Sequence, residues 1–429
     1  MGRCRHRRSP RRPPDRPGPR GKPVIGRAER NTLVLAGILF TLSACASVPA
    51  DCTRGNVRLT QSFSGASSYA CTRTGETAFQ LTVTPESTPI NPSPWYAFDL
   101  EAAYPVEVSV ELVYAPHAHR YPPRIDRGDG VWDLLPGADV SIEAEGRAAT
   151  LIVNLASGSS RIAAQEVVGL EQRAYWRDRF AASAWLAQHT IGQSVEGRPI
   201  QALFRAATEP AAPLIVILGG QHPPEITGTL ALRAFLETLF DPSNPNATLD
   251  RFEWLIVPDL NPDGIEHGHW RHNLNQTDLN RDWGPFNQPE TAAVRAQIEA
   301  RVSHGQTPFL LLDFHSTYRD VLYTPPDDLG LSPGNFSRHW IAGIEAIWPG
   351  PGSAFERGPN HNPDLPTAKT WFAETYGAPG LTVELGDQTG RDRITALAQT
   401  AATALRTYLE TASSSAEVDG ILSRNLPAD

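Results

Sequence analysis

Hydrophobic and polar positions follow two different rhythms along this chain. Between about residues 55 and 165 apolar residues come in short runs: VRLTQSF (57–63), AFQLTVTP (78–85), WYAFDLEA (95–102), VEVSVELVYA (106–115), ADVSIEAE (138–145) and ATLIVNLA (149–156). In the fourth run Val106, Val108, Val110 and Leu112 alternate with Glu107, Ser109 and Glu111. That period of two buries one face of a strand and leaves the other to water. Such runs, broken by turn residues and with no long helix between them, predict an antiparallel sandwich of about six to eight strands.

After residue 172 the rhythm changes. RAYWRDRFAASAWLAQHT (173–190) has a helical pattern. PLIVILGG (213–220) is a continuous apolar run, as a strand buried on both faces must be, and FEWLIVPDL (252–260), FLLLDFH (309–315) and LTVELGD (381–387) read as further largely apolar strands. TLALRAFLETLF (229–240), ETAAVRAQIEARV (290–302) and ITALAQTAATALRTYLETA (394–412) read as helices between and after them. Apolar strands alternating with helices predict an α/β domain with a mainly parallel mixed sheet flanked by helices. The expected organisation is a leader over 1–45, an all-β antiparallel sandwich over 50–168, the α/β domain over 172–411 and a loose tail over 412–429.

Charge refines this picture at the N-terminus. Residues 1–30 carry ten Arg and one Lys against Asp15 and Glu29, whereas the whole chain has a net charge of -9. With no charge over 31–44, everything from Cys45 onward carries a net charge of -18. So acidic a body argues against nucleic acid as a partner, since phosphate binding needs a basic surface. The apolar stretch Asn31–Ala44 has the length of a signal-peptide core and is too short to span a bilayer. It runs into Leu42-Ser43-Ala44-Cys45, which resembles a bacterial lipoprotein cleavage box. The expectation is an exported protein, facing the periplasm on a lipid anchor at Cys45 or secreted. An ordinary secretory signal, or a start codon downstream of Met1, is the alternative. Cys4 and Cys45 fall in this leader, which leaves Cys52 and Cys71 as a pair that an oxidising compartment could bridge.

Ligands in open α/β sheets bind at the carboxyl ends of the strands, and three polar clusters fall there. Gly219-Gly220-Gln221-His222-Pro223-Pro224-Glu225 follows PLIVIL, Asp313-Phe314-His315 ends FLLLDFH, and Glu384 interrupts the apolar LTVELGD. His222, Glu225 and His315 together are the donor set of a catalytic zinc site that keeps a position open for water. A carboxylate such as Glu384 on a buried strand is costly unless it is paired or poised near a metal.

Between the first two clusters lie Asn261-Pro262-Asp263-Gly264, His269-Trp270-Arg271-His272-Asn273 and Asp278-Leu279-Asn280-Arg281-Asp282-Trp283. With these motifs in this order, residues 190–405 resemble the zinc carboxypeptidase family. Asn91-Pro92-Ser93-Pro94-Trp95-Tyr96 and Asp278-Leu279-Asn280-Arg281 look like its cytosolic carboxypeptidase-like branch, whose members carry a β-sandwich before the catalytic domain. The resemblance implies one zinc held by His222, Glu225 and His315, with Asp278 orienting His222. It implies Glu384 as general base, Arg271 as oxyanion stabiliser, and Asn280 with Arg281 as the clamp on the substrate's terminal carboxylate. A guanidinium fork suits that carboxylate.

Two positions depart from the family. The Tyr that family members place about 22 residues before the general-base Glu is missing; Asn362 stands there, beside His361, so either His361 substitutes as a donor or the loop is remodelled. Lys369 aligns with the bottom of the pocket for the C-terminal side chain, which implies a preference for Glu or Asp there. The expected substrates are peptide or protein C-termini. Murein stem peptides, small acyl compounds cut by the same centre as an amidase or esterase, and an inactive binding protein are the alternatives.

Overall fold

The computed structural model describes residues 51–114, 116–182 and 186–413. The leader, its Cys45 box and the tail beyond residue 413 lie outside them.

Among the described residues ten strands precede the first α-helix: β1 (Val57–Thr60), β2 (Ala70–Arg73), β3 (Ala78–Thr82), β4 (Ala97–Ala102), β5 (Val106–Val113), β6 (Arg124–Asp126), β7 (Trp132–Leu134), β8 (Val140–Ile142), β9 (Ala148–Leu155) and β10 (Gly158–Ala163). They form two five-stranded sheets, β1-β4-β10-β6-β7 and β2-β3-β5-β9-β8. All pairings are antiparallel except β3 with β5. The alternation in β5 is realised, with Val108, Val110 and Leu112 buried and Glu107 exposed. These side chains share one core with Phe98 and Leu100 of the opposite sheet. The count exceeds the expected six to eight because β2, β6 and β7 span only three or four residues, too few for a period of two to register. Cys52 and Cys71 are bridged, with Cα atoms 6.3 Å apart.

The rest is an α/β unit: α1 (Leu170–Ala182), β11 (Ala187–Gln193), β12 (Pro199–Arg205), β13 (Pro213–Gly219), α2 (Ile226–Leu239), β14 (Glu253–Val257), α3 (Pro262–His267), α4 (Pro289–Ser303), β15 (Thr307–Thr317), β16 (Val321–Thr324), α5 (Phe336–Ile347), β17 (Glu356–Pro359), α6 (Ala368–Tyr376), β18 (Gly380–Gly386) and α7 (Arg391–Ser413). Its eight strands run β11-β12-β14-β13-β15-β18-β16-β17, parallel through β14, β13, β15 and β18. The alternate residues of β13 show why that run had to be apolar throughout. Ile215 and Ile217 pack under α2 and α7, while Leu214, Val216 and Leu218 pack against α4 and α6. Each such burial is worth about 1.5–3 kcal/mol.

One expected element is corrected. Residues 187–190, read as the end of a helix, form β11, antiparallel to β12. The ladder offered by β12 outweighs a weak helical propensity. At the other end, Ala412 and Ser413, placed in the tail, complete α7.

The two layers meet in charged and apolar contacts. Arg120 of the sandwich donates from Nε and Nη2 to Asp387 Oδ2 at 3.0 and 2.7 Å, just beyond β18. Arg391 of α7 donates from Nε to Glu166 Oε1 at 2.7 Å. Ile226 and Trp270 of the α/β unit are buried in the sandwich core.

Candidate active site

The carboxyl ends of β13, β15 and β18 converge on one cavity of about 220 Å³. After β13 the chain turns through His222-Pro223-Pro224-Glu225 into α2, with Glu225 at the N-cap position immediately before the helix. Two prolines with fixed φ hold His222 and Glu225 in one orientation. Helix α2 lies close against β15 because residue 228 is Gly, where a Cβ would sit 2.5 Å from the carbonyl oxygen of His315. Parallel pairing sets His315 directly opposite Glu384. In this way three separate segments deliver their side chains to one point.

There, His222 Nδ1 lies 2.8 Å from Glu225 Oε1, His315 Nδ1 lies 2.7 Å from Glu225 Oε2, and the two Nδ1 atoms are 3.2 Å apart. All three residues are buried, with their donor atoms within 4.8 Å of one another. The far nitrogens are engaged by carboxylates, His222 Nε2 by Asp278 Oδ1 at 2.9 Å and His315 Nε2 by Asp313 Oδ2 at 2.8 Å. A carboxylate behind an imidazole fixes its tautomer and raises its basicity, the usual support for a metal-ligating His. The two nitrogens and one carboxylate are therefore a set that could hold a divalent cation such as zinc, with both rings already turned to it.

Electrostatics agree with that reading. Burial opposes ionisation of Glu225, yet His222 and His315 overcome it and hold its pKa well below the usual carboxylate range. Glu384 shows the opposite balance. Burial pushes it up to about 8, with His315 pulling down and Glu225 pushing up, and its Oε2 is buried with no hydrogen-bond partner. A carboxyl group in that state can take and return a proton near neutral pH.

The remaining expected residues line the same cavity. Arg271 donates from Nε to Asp278 Oδ2 at 2.7 Å and places Nη1 3.7 Å from Glu225 Oε1. Burial works against its charge, but Asp278, Glu225 and Glu384 hold its pKa above the ordinary value. Asn280 accepts from Ala368 N through Oδ1 at 3.0 Å, and its Nδ2, a donor with two hydrogens, lies 3.3 Å from His315 Nε2. Lys369, in the first turn of α6, is 6% exposed and donates from Nζ to the carbonyl of His361 at 2.6 Å. Burial and Arg281 lower it to about 8.

Sequence reasoning missed several lining residues. Tyr323 comes from β16, a four-residue strand, and its ring stacks on His361 at 3.8 Å between centroids. Thr382 lies opposite Tyr323 in the β16–β18 pairing. Arg120 enters from the sandwich, as do Asn91 and Ser93, which stood in a noted motif without a site role. Asp313 stood in a noted motif, and its spacing of two from His315, which puts both on one strand face, was the available signal for its contact.

Residues 176–418, more than half of the chain, match the zinc carboxypeptidase family. A relative named as an inactive metallocarboxypeptidase, ecm14 of Talaromyces marneffei, is 30% identical over 179 residues, 31% of this chain and 30% of that protein. Human cytosolic carboxypeptidase 4 is 34% identical over 108 residues, 24% of this chain and 10% of that protein. The chain thus spans less than a third of the length of these curated relatives. Among solved structures, a metallo-carboxypeptidase from Burkholderia cenocepacia superposes with a TM-score of 0.69 at 20% identity, over 83% of this chain and 99% of that one, which is a likeness of fold. With the fold, the metal-type cluster and the match over residues 176–418 in agreement, the chain belongs to the zinc carboxypeptidase family.

Proposed function

We propose that this chain removes single residues from the C-termini of peptides, using a zinc ion held by His222, Glu225 and His315. The observation that carries the reading is the convergence of those donors opposite Glu384, whose buried Oε2 has no partner. Zinc bound there would lower the pKa of a water in its open position and polarise the scissile carbonyl. Glu384 is placed to accept the proton of the attacking water and to return it to the leaving amine. Arg271, held charged among carboxylates, stabilises the oxyanion as it forms. Arg281 and the amide of Asn280 receive the terminal carboxylate, and Asp278 orients both His222 and Arg271.

Side-chain selection falls to Lys369, flanked by the Tyr323–His361 stack. Lys369 and Arg281 push each other's environment positive, and the amine of Lys369 has only a neutral carbonyl as its hydrogen-bond partner. A terminal Glu or Asp offers two carboxylates to these two cations, which supports an acidic preference. The Cys52–Cys71 bridge supports an oxidising, extracytoplasmic compartment, and the Leu42-Ser43-Ala44-Cys45 box is what suggests a lipid anchor at Cys45. Mutation of Cys45 to Ala should then move the protein from the membrane to the soluble fraction.

The test is a C-terminal peptide library and a muropeptide set, with and without chelator. Release of single terminal residues, lost on chelation and restored by zinc, is the expected result. No turnover by zinc-loaded protein would favour a binding role, and release from small acyl substrates alone would favour an amidase or esterase.

A further inference from the structure

The segment that carries Arg271 leans on the sandwich. Three successive backbone amides, Trp270 N, Arg271 N and His272 N, donate to the carboxylate of Glu86 at 2.8, 2.9 and 2.6 Å, the first to Oε2 and the others to Oε1. Glu86 lies in the loop after β3, more than 180 residues earlier. Next to it, Ser87 Oγ lies 2.7 Å from His272 Nδ1. The indole of Trp270 donates to Tyr69 OH at 2.7 Å, and that hydroxyl donates to Trp95 O at 2.7 Å. Just upstream, Gly65 N donates to Glu266 O at 2.8 Å and the Ser67 hydroxyl donates to Gly268 O. Gly268 has φ +59, and a Cβ there would sit 2.6 Å from Gly65 O, so the sandwich backbone approaches as closely as glycine allows.

We propose that Glu86 is a positioning residue for Arg271, and that the sandwich is for this reason part of the active site. Three consecutive N–H groups aimed at one carboxylate form a nest of charge-assisted bonds, which fixes the peptide planes on both sides of the Arg271 Cα. Beyond that anchored Cα, the guanidinium is steered by Asp278 at 2.7 Å, so the backbone and the side chain are held by different layers of the molecule. An oxyanion donor is effective only when preorganised, and a displacement of about 1 Å costs on the order of a hundredfold in rate. A Gln at position 86 would keep the shape but turn an amide N–H toward backbone donors, leaving at least one of the three without an acceptor.

The inference rests on Arg271 acting on the tetrahedral oxyanion, and the experiment separates the two. Glu86→Gln, Arg271→Ala and, as a control, Glu166→Gln are compared in the full chain. Glu166 holds the same two layers together through Arg391, away from the cavity. Expected for Glu86→Gln are a kcat at least tenfold lower, a KM within threefold, an unchanged zinc content, and weaker binding of a phosphinic peptide that mimics the tetrahedral state. Inhibition by the free product amino acid, which presents its α-carboxylate to the clamp and carries no mimic of the tetrahedral oxyanion, should stay the same. Glu166→Gln should lower Tm and leave kcat within twofold. Should Glu86→Gln not accumulate as folded protein, Glu86→Asp, which keeps the charge but draws it back by one methylene, is read by the same criteria. If Arg271→Ala is crippled while Glu86→Gln turns over normally, or if both inhibitors weaken together, the positioning role is overturned. A normal kcat in Arg271→Ala overturns the reading of Arg271 and this inference with it.

Discussion

Replacing Lys369 by Met keeps the bulk of the side chain and removes its charge. Lys369 is 6% exposed as a residue and its amine donates to a neutral carbonyl, so a substrate carboxylate reaching it makes a largely desolvated ion pair. Truncating one partner of such a pair costs about 2–5 kcal/mol. At about 1.4 kcal/mol per factor of ten, kcat/KM on a peptide ending in Glu should fall roughly 30-fold to several thousandfold in the variant. The same peptide ending in Gln should change only a few-fold. Acidity supplies an independent check on the unmodified protein. With a pKa lowered to about 8, Lys369 is mostly charged at pH 7 and mostly neutral at pH 9. Because kcat/KM reports the free enzyme, the Glu-to-Gln preference should drop about tenfold over that interval, from high at low pH to low at high pH. Both series need only a continuous assay of released amino acid on paired peptides. Faster cleavage of peptides ending in Phe or Leu, or a preference unchanged by the mutation and flat from pH 7 to 9, would refute the reasoning.

Asp278→Asn should weaken zinc binding about 10- to 100-fold, because His222 loses the carboxylate behind Nε2 and Arg271 loses its partner; competition with a chromogenic chelator measures it. Gly228→Ala puts a methyl 2.5 Å from His315 O, which must move α2 off β15. A loss of about 1–3 kcal/mol in urea unfolding and a weaker zinc site are expected together. Changing Cys52 and Cys71 both to Ser removes a bridge across a sequence separation of 19, worth about 3 kcal/mol. Reductant should destabilise the unmodified protein by the same amount and leave the variant unaffected.

The strands that build the metal-type cluster were legible because burial on both faces forces an unbroken apolar run. PLIVIL runs through Gly219-Gly220 into Gln221-His222, FLLLDFH carries Asp313 and His315 at its end, and LTVEL carries Glu384, polar residues that are costly on buried strands unless they act. The ordered motifs then identified the residues between them. What stayed hidden has a common cause. Tyr323, Arg120 and Glu86 come from short strands or loops, where no period announces an element, and tertiary packing places them, Arg120 on Asp387 across 267 residues and Glu86 on the backbone of Arg271 across 185. The β11 edge was misread because its partner strand, and not its own composition, decides its conformation. Lys369 was found only through its alignment with a family position; its depressed basicity depends on burial and on Arg281, neither of which is written in the local sequence.

The central claim is that the three donors hold zinc and that Glu384 handles the proton. It is tested most directly by measuring zinc stoichiometry and turnover on the same preparations of unmodified protein and Glu384→Gln. One zinc per chain is expected in both, with release of terminal residues in the first and at least about a hundredfold less in the second. Full turnover by Glu384→Gln, or unmodified protein that turns over without zinc, would contradict it.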